Sequence, residues 1–405
     1  MISTPATRPE HLLLYEPRTE GHHLGWLRFI VEDLLSADFR LSLAVDLRPE
    51  AKAKVQDHLS GFLSRVHLLS AYDGSGRRHN DGRAGAVGFC LRQSGAANAF
   101  LCAFDEIASH CWRRATFGLH PPAELHGRMG GIYHRPRFLA APKWSPNRCL
   151  KFPGFQRLLC AGWWRQLLFV DEFLAAELQS AYPAAPVFFL PDPCPPGYDG
   201  DATAARGKLE LPADRRVLLF YGTGARRKGL HLAVEAMRQL PPESPAFLLC
   251  AGQQNPTGKT AADLAQLVRQ NRARLLDRYV SIEEEKMCFA ASDAVLLPYL
   301  NHFGTSGVLS RAMSAGKPVI VSDEQLLGRL TRERGLGWLF PSGDVEALCE
   351  RIRQATAFSP EATAKFSVAA QAYARRYSRE SYRAALLASL GAAGSPRRPT
   401  GESEL

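Results

Sequence analysis

Apolar residues in this chain gather into short continuous runs, separated by stretches where they recur at helical spacing. His11–Tyr15, Leu41–Asp46, Ala99–Phe104, Leu167–Asp171 and Val187–Leu190 are such runs in the first half. Arg216–Tyr221, Ala246–Gly252, Asp293–Pro298, Val319–Val321 and Gly335–Phe340 follow in the second. Runs apolar on both alternating faces suit strands covered by helices on both sides of a parallel sheet. Gly131–Arg137 reads as one more strand, ending in basic residues. Between the runs, Trp26–Leu35 has helical spacing, as do Leu230, Val234, Met237 and Leu240, and then Val308, Leu309, Ala312 and Met313. Further helices are expected from Val345 to Ala355 and over a long region from Pro360 to Leu390, and residues from Gly391 on read as disordered. Alternating strands and helices predict an α/β protein with two Rossmann-like halves. The proline-dense Pro191-Asp-Pro-Cys-Pro-Pro-Gly197 is the best boundary between them.

Composition narrows this picture. At 405 residues two domains are the natural expectation, and 46% hydrophobic content supports two cores. No apolar run is long enough for a membrane span, and the N-terminus lacks a basic region followed by an apolar one, so a cytoplasmic location is expected. Nine scattered cysteines without a C-x-x-C argue against a disulfide framework and a structural zinc site. The net charge of +10 points to acidic partners: phosphates, nucleic acid or an anionic membrane surface. No zinc-finger spacing or RNA-recognition aromatic signature accompanies the short basic clusters, which disfavours nucleic acid. Trp112 beside Arg113-Arg114, and Trp163-Trp164 before Arg165, are candidates for resting on a membrane surface on the inner face of the cell; buried aromatics beside solvated arginines are the alternative.

Phosphate chemistry is the theme of the second half. Gly222-Thr-Gly-Ala-Arg-Arg-Lys-Gly229 follows a strand, with glycines that let backbone approach a ligand and with Arg226, Arg227 and Lys228 to neutralise it. A solvated basic loop is the alternative. Gly304-Thr-Ser-Gly307 opens a helix, whose unpaired N–H groups suit a phosphate. Gln253–Thr260 resembles a P-loop but carries Gln253 where the first glycine belongs and Pro256 inside the loop, so ATP binding is disfavoured. Asp199-Gly-Asp201 matches a metal-holding D-x-D but sits beside Gly and Pro, and reads as turn chemistry. In the first half, Asp105 and Glu106 end a strand where ligands of open sheets gather, or else they cap the next helix.

Taken in order, YGTGARRKGL, FLLCAG, ASDAVLLPY, HFGTSGVLSRAMSAGKPVIVSD and GLGWLFPSGD resemble the retaining family-four glycosyltransferases (glycosyl transferases group 1) over roughly Val217 to Gln354. The first half resembles them only in architecture and in the EGHHLG loop. The resemblance implies a GT-B arrangement, two Rossmann-like domains facing a cleft. Residues 1–192 would bind the acceptor, 193–375 the nucleotide sugar, 376–392 would form a helix packing back on the first domain, and 393–405 a disordered tail. It implies transfer of a hexosyl or related sugar from a nucleotide-diphosphate sugar to a glycan or lipid-linked acceptor in cell-envelope polysaccharide biosynthesis, with retention and with no metal or cofactor. Donor-binding residues would be Gly21, Gly222, Thr223, Arg226, Arg227, Lys228, His302, Gly304, Thr305, Ser306, Gly307 and Arg311. His22, His23, Asp105 and Glu106 would position or deprotonate the acceptor. The family has two glutamates eight positions apart. Here the second is Arg311 and the first is Phe303 or His302. Arg only donates hydrogen bonds where a carboxylate accepts them. A non-catalytic nucleotide-sugar binder of the same fold is therefore the second reading.

Overall fold

The computed structural model describes residues 10–20, 23–79, 83–357 and 360–393. The chain divides into two units, Met1–Leu190 with Arg383–Leu405, and Pro191–Tyr382. Gly21 and His22 lie outside the described residues, as do 394–405.

The first unit is built on a seven-stranded sheet. Its strands are β1 (His11–Glu16), β2 (Arg40–Val45), β3 (Val66–Ser70), β4 (Asn98–Leu101), β5 (Met129–Tyr133), β6 (Trp164–Phe169) and β7 (Val187–Phe189). Their order is β3-β2-β1-β4-β5-β6-β7, with every pair parallel. Parallel neighbours need crossovers, and seven helices supply them: α1 (His23–Leu35), α2 (Pro49–Leu59), α3 (Arg83–Ser94), α4 (Asp105–Thr116), α5 (Arg137–Ala140), α6 (Pro146–Cys160) and α7 (Glu172–Ala181). Leu12, Leu13 and Leu14 of β1 are all fully buried, because helices cover both faces of the sheet. Trp112, Trp163 and Trp164 are buried too, Trp112 and Trp164 packing edge-on in one aromatic cluster. Of the two sequence readings of these tryptophans, buried aromatics beside solvated arginines is the one that holds, and the membrane-resting one does not. Their apolar area is spent inside the core.

The second unit repeats the plan with six parallel strands: β8 (Arg216–Tyr221), β9 (Ala246–Ala251), β10 (Ala273–Leu276), β11 (Ala294–Leu297), β12 (Val319–Ser322) and β13 (Gly337–Phe340), in the order β10-β9-β8-β11-β12-β13. Its helices are α8 (Ala202–Lys208), α9 (Leu230–Gln239), α10 (Gly258–Arg269), α11 (Ile282–Ala291), α12 (Gly307–Ser314), α13 (Gln325–Arg334), α14 (Val345–Ala357) and α15 (Pro360–Arg376). Where one long C-terminal helical region was expected, the chain breaks at Tyr377-Ser378 and resumes as α16 (Arg379–Ala393). Ser378 accepts from the Ser381 amide at 3.1 Å and so starts the new helix. The division between units falls inside α16. Within the first unit, Arg383 approaches the buried Asp33 of α1 at 3.9 Å.

Both sheets reverse their order of growth at one point, between β1 and β4 in the first unit and between β8 and β11 in the second. There the loops leave toward opposite faces and open a crevice beyond the strand C-termini. The candidate residues cluster at both switch points.

Candidate functional site

In the second unit the loop after β8 makes a single 3-10 turn, Arg226–Lys228, closed by Gly229 in the left-handed region with φ of 76°. Gly229 has to be glycine for two reasons. Its φ disfavours a side chain, and a Cβ would lie 1.9 Å from the Pro298 carbonyl oxygen. The close approach binds this loop to the segment after β11, where the Leu300 amide donates to the Arg227 carbonyl at 2.7 Å.

This geometry sets Lys228. Its ammonium lies against Gly222, where a Cβ would be only 2.6 Å away, and 5.7 Å from the Tyr299 ring centre. No carboxylate pairs with it among the described residues. Burial, with Arg227 and Arg311 nearby, pulls its pKa down to about 8. The tyrosine then leads to the helix start, since Tyr299 Oη is 3.4 Å from Ser306 Oγ. Ser306 is the N-cap of α12 and accepts from the amides of Val308 and Leu309, at 3.3 and 3.4 Å. The amides of Thr305, Ser306 and Gly307 donate to no described group and remain open to an anion. Gly304 turns the chain just before them at a φ of 92°. His302 Nε2 lies 3.1 Å from the Thr305 carbonyl and its Nδ1 is 3.5 Å from Arg227 Nη1. Thus Gly222, Arg227, Lys228, His302, Thr305, Ser306 and Gly307 come together, while Thr223 and Arg226 are exposed on the same loop.

Arg311 sits one turn up α12. Its Nε donates to Glu285 Oε1 at 2.7 Å and its Nη1 to the Gly307 carbonyl at 2.9 Å. Glu285, buried on α11, also accepts from the hydroxyls of Tyr198 and Tyr221. Burial pushes the Glu285 carboxyl up, but the hydrogen bonds from both tyrosines and Arg311 outweigh it and hold the group below its usual value. Sequence spacing missed this network. Glu285 lies in a run of acids on a helix, and only the packing of α11 against β8 and α12 singles it out.

Two other motifs have structural work. Asp201 caps α8, accepting from the Ala204 amide at 2.7 Å, as turn chemistry requires. Lys259 of the P-loop-like segment pairs with Glu235 at 2.6 Å and Asp263 at 3.1 Å, so its charge is already answered. The same segment braces the glycine loop: Gln254 Nε2 donates to the Gly222 carbonyl at 2.6 Å, and the Gly224 amide to the Gln253 carbonyl at 2.9 Å. No group of three His, Cys, Asp or Glu close enough to hold a metal occurs among the described residues.

In the first unit, His23 opens α1 and its Nδ1 is 3.0 Å from Oε2 of the buried Glu16 at the end of β1. Asp105 and Glu106 lie in the first turn of α4, whose N-cap is Phe104, so the reading of them as helix caps is corrected: both are committed elsewhere. Asp105 accepts from the amides of His134 and Arg135 at 2.9 and 2.7 Å. Glu106 is paired with Arg18 at 2.8 Å and Arg78 at 2.6 Å.

Residues 201–372 match the model of the family described as glycosyl transferases group 1. A putative colanic acid biosynthesis glycosyltransferase, WcaL of Salmonella typhimurium, is 28% identical over 135 residues, 32% of this chain and 33% of that protein. A lipopolysaccharide core biosynthesis glycosyltransferase, LpsE of Rhizobium meliloti, is 26% identical over 38% of this chain and 43% of its own length. The alignments thus span between a third and just under half of these curated relatives. HepE of Anabaena, solved in complex with UDP, matches with a TM-score of 0.65 at 14% identity, covering 95% of this chain and 100% of that one. That likeness carries the fold. The family match lies within the second unit, and the chain has the GT-B type of fold, with two Rossmann-like units.

Proposed function

We propose that the chain is a glycosyltransferase that binds a nucleoside-diphosphate sugar at the β8/β11 switch point and moves the sugar to a glycan or lipid-linked acceptor in cell-envelope polysaccharide assembly. The observation that carries this reading is Lys228: a half-buried ammonium with no carboxylate partner among the described residues, connected through Tyr299 to a helix start with three amides that have no described acceptor. Desolvating a cation is unfavourable unless an anion answers it. A diphosphate has the charge and the oxygens to do so. The family of the second unit and the names of WcaL, LpsE and HepE support the same reading.

In the proposed reaction the bond from the sugar carbon to the diphosphate oxygen breaks, and the electron pair leaves on the diphosphate. Lys228, Arg227, Arg226 and the amides of Thr305, Ser306 and Gly307 stabilise that charge, each donor contributing up to about 3 kcal/mol. Gly222, Thr223 and Gly304 let backbone come close, and His302 and Arg311 bound the donor pocket. The new bond forms on the same face of the sugar, and no resident metal or cofactor takes part. The acceptor hydroxyl gives up its proton. Of the first-unit candidates, His23 is held at Nδ1 by Glu16, and the oxygens of Asp105 and Glu106 are engaged by amides and arginines. Gly21 and His22 immediately precede His23 in the sequence.

Arg311 supports the second reading, a binding protein without turnover, because no carboxylate stands at its position or eight residues before it. One experiment separates the two. A thermal-shift panel of nucleotide sugars identifies the donor by mass action, and product formation with that donor is then followed. Stabilisation with turnover is the expected result. Stabilisation without any transfer or hydrolysis selects the binder, and no shift with any nucleotide sugar overturns both.

A further inference from the structure

Unanswered positive charge also surrounds a cavity of the first unit. The cavity, of about 360 Å³, lies between the first turn of α3, the second half of α4 and the loop 119–122 after α4. That volume is in the range of small-molecule sites. Its polar wall is His110, Arg114 and His120, and its apolar wall includes Leu119, Pro121 and Pro122. No Asp or Glu is among the lining residues. Among the described residues Arg114 makes no salt bridge, and Arg83 and Arg113 donate only to the carbonyls of Glu106 and Ser109, at 3.3 and 3.2 Å. The acids on the neighbouring segments are already committed, Glu106 to Arg18 at 2.8 Å and Arg78 at 2.6 Å, and Glu124 to Arg92.

Three guanidiniums therefore act on His110 with no carboxylate to offset them. Burial, and then Arg114, Arg83 and Arg113, hold its imidazolium below the ordinary histidine value. An anion in the cavity would relieve that repulsion. His120 is set in place by Trp163, which is buried and whose ring lies parallel to the imidazole, 5.3 Å between centres and 8° between planes. An arginine fork and two imidazole N–H donors suit a tetrahedral oxyanion. Leu119, Pro121 and Pro122 then leave an apolar wall for a body attached to it. A free phosphate would not use that wall, and a neutral apolar molecule would leave the cations unanswered. Arg114 stands about two turns further along α4 than Glu106, on the side away from the β1/β4 switch point, so this cavity is separate from the candidate residues there.

We propose that the α3–α4 cavity binds a small phosphate monoester with an apolar body, His110, Arg114 and His120 taking the phosphate and the 119–122 loop the body. The proposal does not rest on the donor reading, and its test needs no nucleotide sugar. Calorimetry on the full chain uses phenyl phosphate, inorganic phosphate and benzyl alcohol as probes. Phenyl phosphate should bind, inorganic phosphate should bind more weakly, and benzyl alcohol should give no binding heat. Lys228→Ala removes the candidate anion-binding ammonium of the second unit, so phenyl phosphate binding that persists in it belongs to the first. Arg114→Gln should weaken phenyl phosphate about tenfold or more, through loss of a charge-assisted hydrogen bond. Leu119→Ser should weaken phenyl phosphate and leave inorganic phosphate unchanged. Both positions are exposed, so folding is retained and a matching thermal melt checks it. Hexyl phosphate and adenosine monophosphate, as competitors, separate an alkyl from an aromatic body, and displacement by either supports the site. Absence of phenyl phosphate binding, unchanged affinity in Arg114→Gln, or inorganic phosphate binding as tightly as phenyl phosphate overturns the proposal. So does failure of both competitors. Binding lost in Lys228→Ala overturns it too, and would place the anion in the second unit with the donor reading intact.

Discussion

Lys228 is where sequence, electrostatics and function meet in one side chain. Its pKa near 8 sets a sign for donor binding. A bound diphosphate favours the ammonium and raises that pKa, so binding takes up a proton once the free lysine has lost its own. Affinity should therefore be flat below pH 8 and weaken above it, by up to tenfold per pH unit until the pKa of the bound form is passed. Calorimetry in buffers of different ionisation enthalpy reads the proton uptake directly. Lys228→Ala should cost about 2 kcal/mol, on the order of thirtyfold in Kd, and remove the pH dependence. Lys228→Arg should keep most of the affinity without the pH dependence, because Arg stays charged. Unchanged affinity in Lys228→Ala would remove the phosphate role from this residue. Arg311 behaves differently. Burial opposes its charge, but Glu285 restores it and holds the guanidinium high in pKa, so it should not titrate in this range.

At the scale of elements, the loop after β8 and the segment after β11 work as one piece because Gly229 lets them touch. Gly229→Ala should destabilise the second unit by about 2 kcal/mol or more, through a left-handed φ and a clash with backbone at Pro298. The same change should weaken nucleotide binding by displacing Lys228. A thermal melt alongside a binding isotherm checks both, and a native melt would show that the loop can relax away from Pro298. The sequence made most of these elements legible for a simple reason. Strands buried on both faces read as unbroken apolar runs, and helix starts carry capping residues such as Ser306. What stayed hidden was short or polar. Val66–Ser70 and Ala273–Leu276 are edge strands of their sheets, half-covered, and the second is flanked by arginines, so neither stands out as an apolar run. The Glu285 network could not be read, because it depends on which faces of α11, α12 and β8 meet. The engagement of Asp105 with the amides after β5 is of the same kind, a tertiary contact between segments 29 and 30 residues apart.

Across the whole molecule, positive charge is shared between the two units, while the proposed donor chemistry is confined to the second. Each unit carries 25 Arg and Lys, against 19 acids in the first and 21 in the second, and the cations proposed to meet the donor are gathered around a glycine loop and a helix start of the second. Hydrogen exchange on the full chain tests where the anion binds. A nucleoside diphosphate should slow exchange most in 222–229 and 299–309, because the amides of Thr305, Ser306 and Gly307 acquire acceptors and the loop around Lys228 loses its freedom to open. At a ligand concentration about a hundredfold above Kd the bound state gains about 2.7 kcal/mol, enough to slow those amides on the order of a hundredfold where they exchange through opening of the site. Protection of a first-unit segment by nucleotide alone, with 299–309 unaffected, would mean that the anion site had been put in the wrong unit.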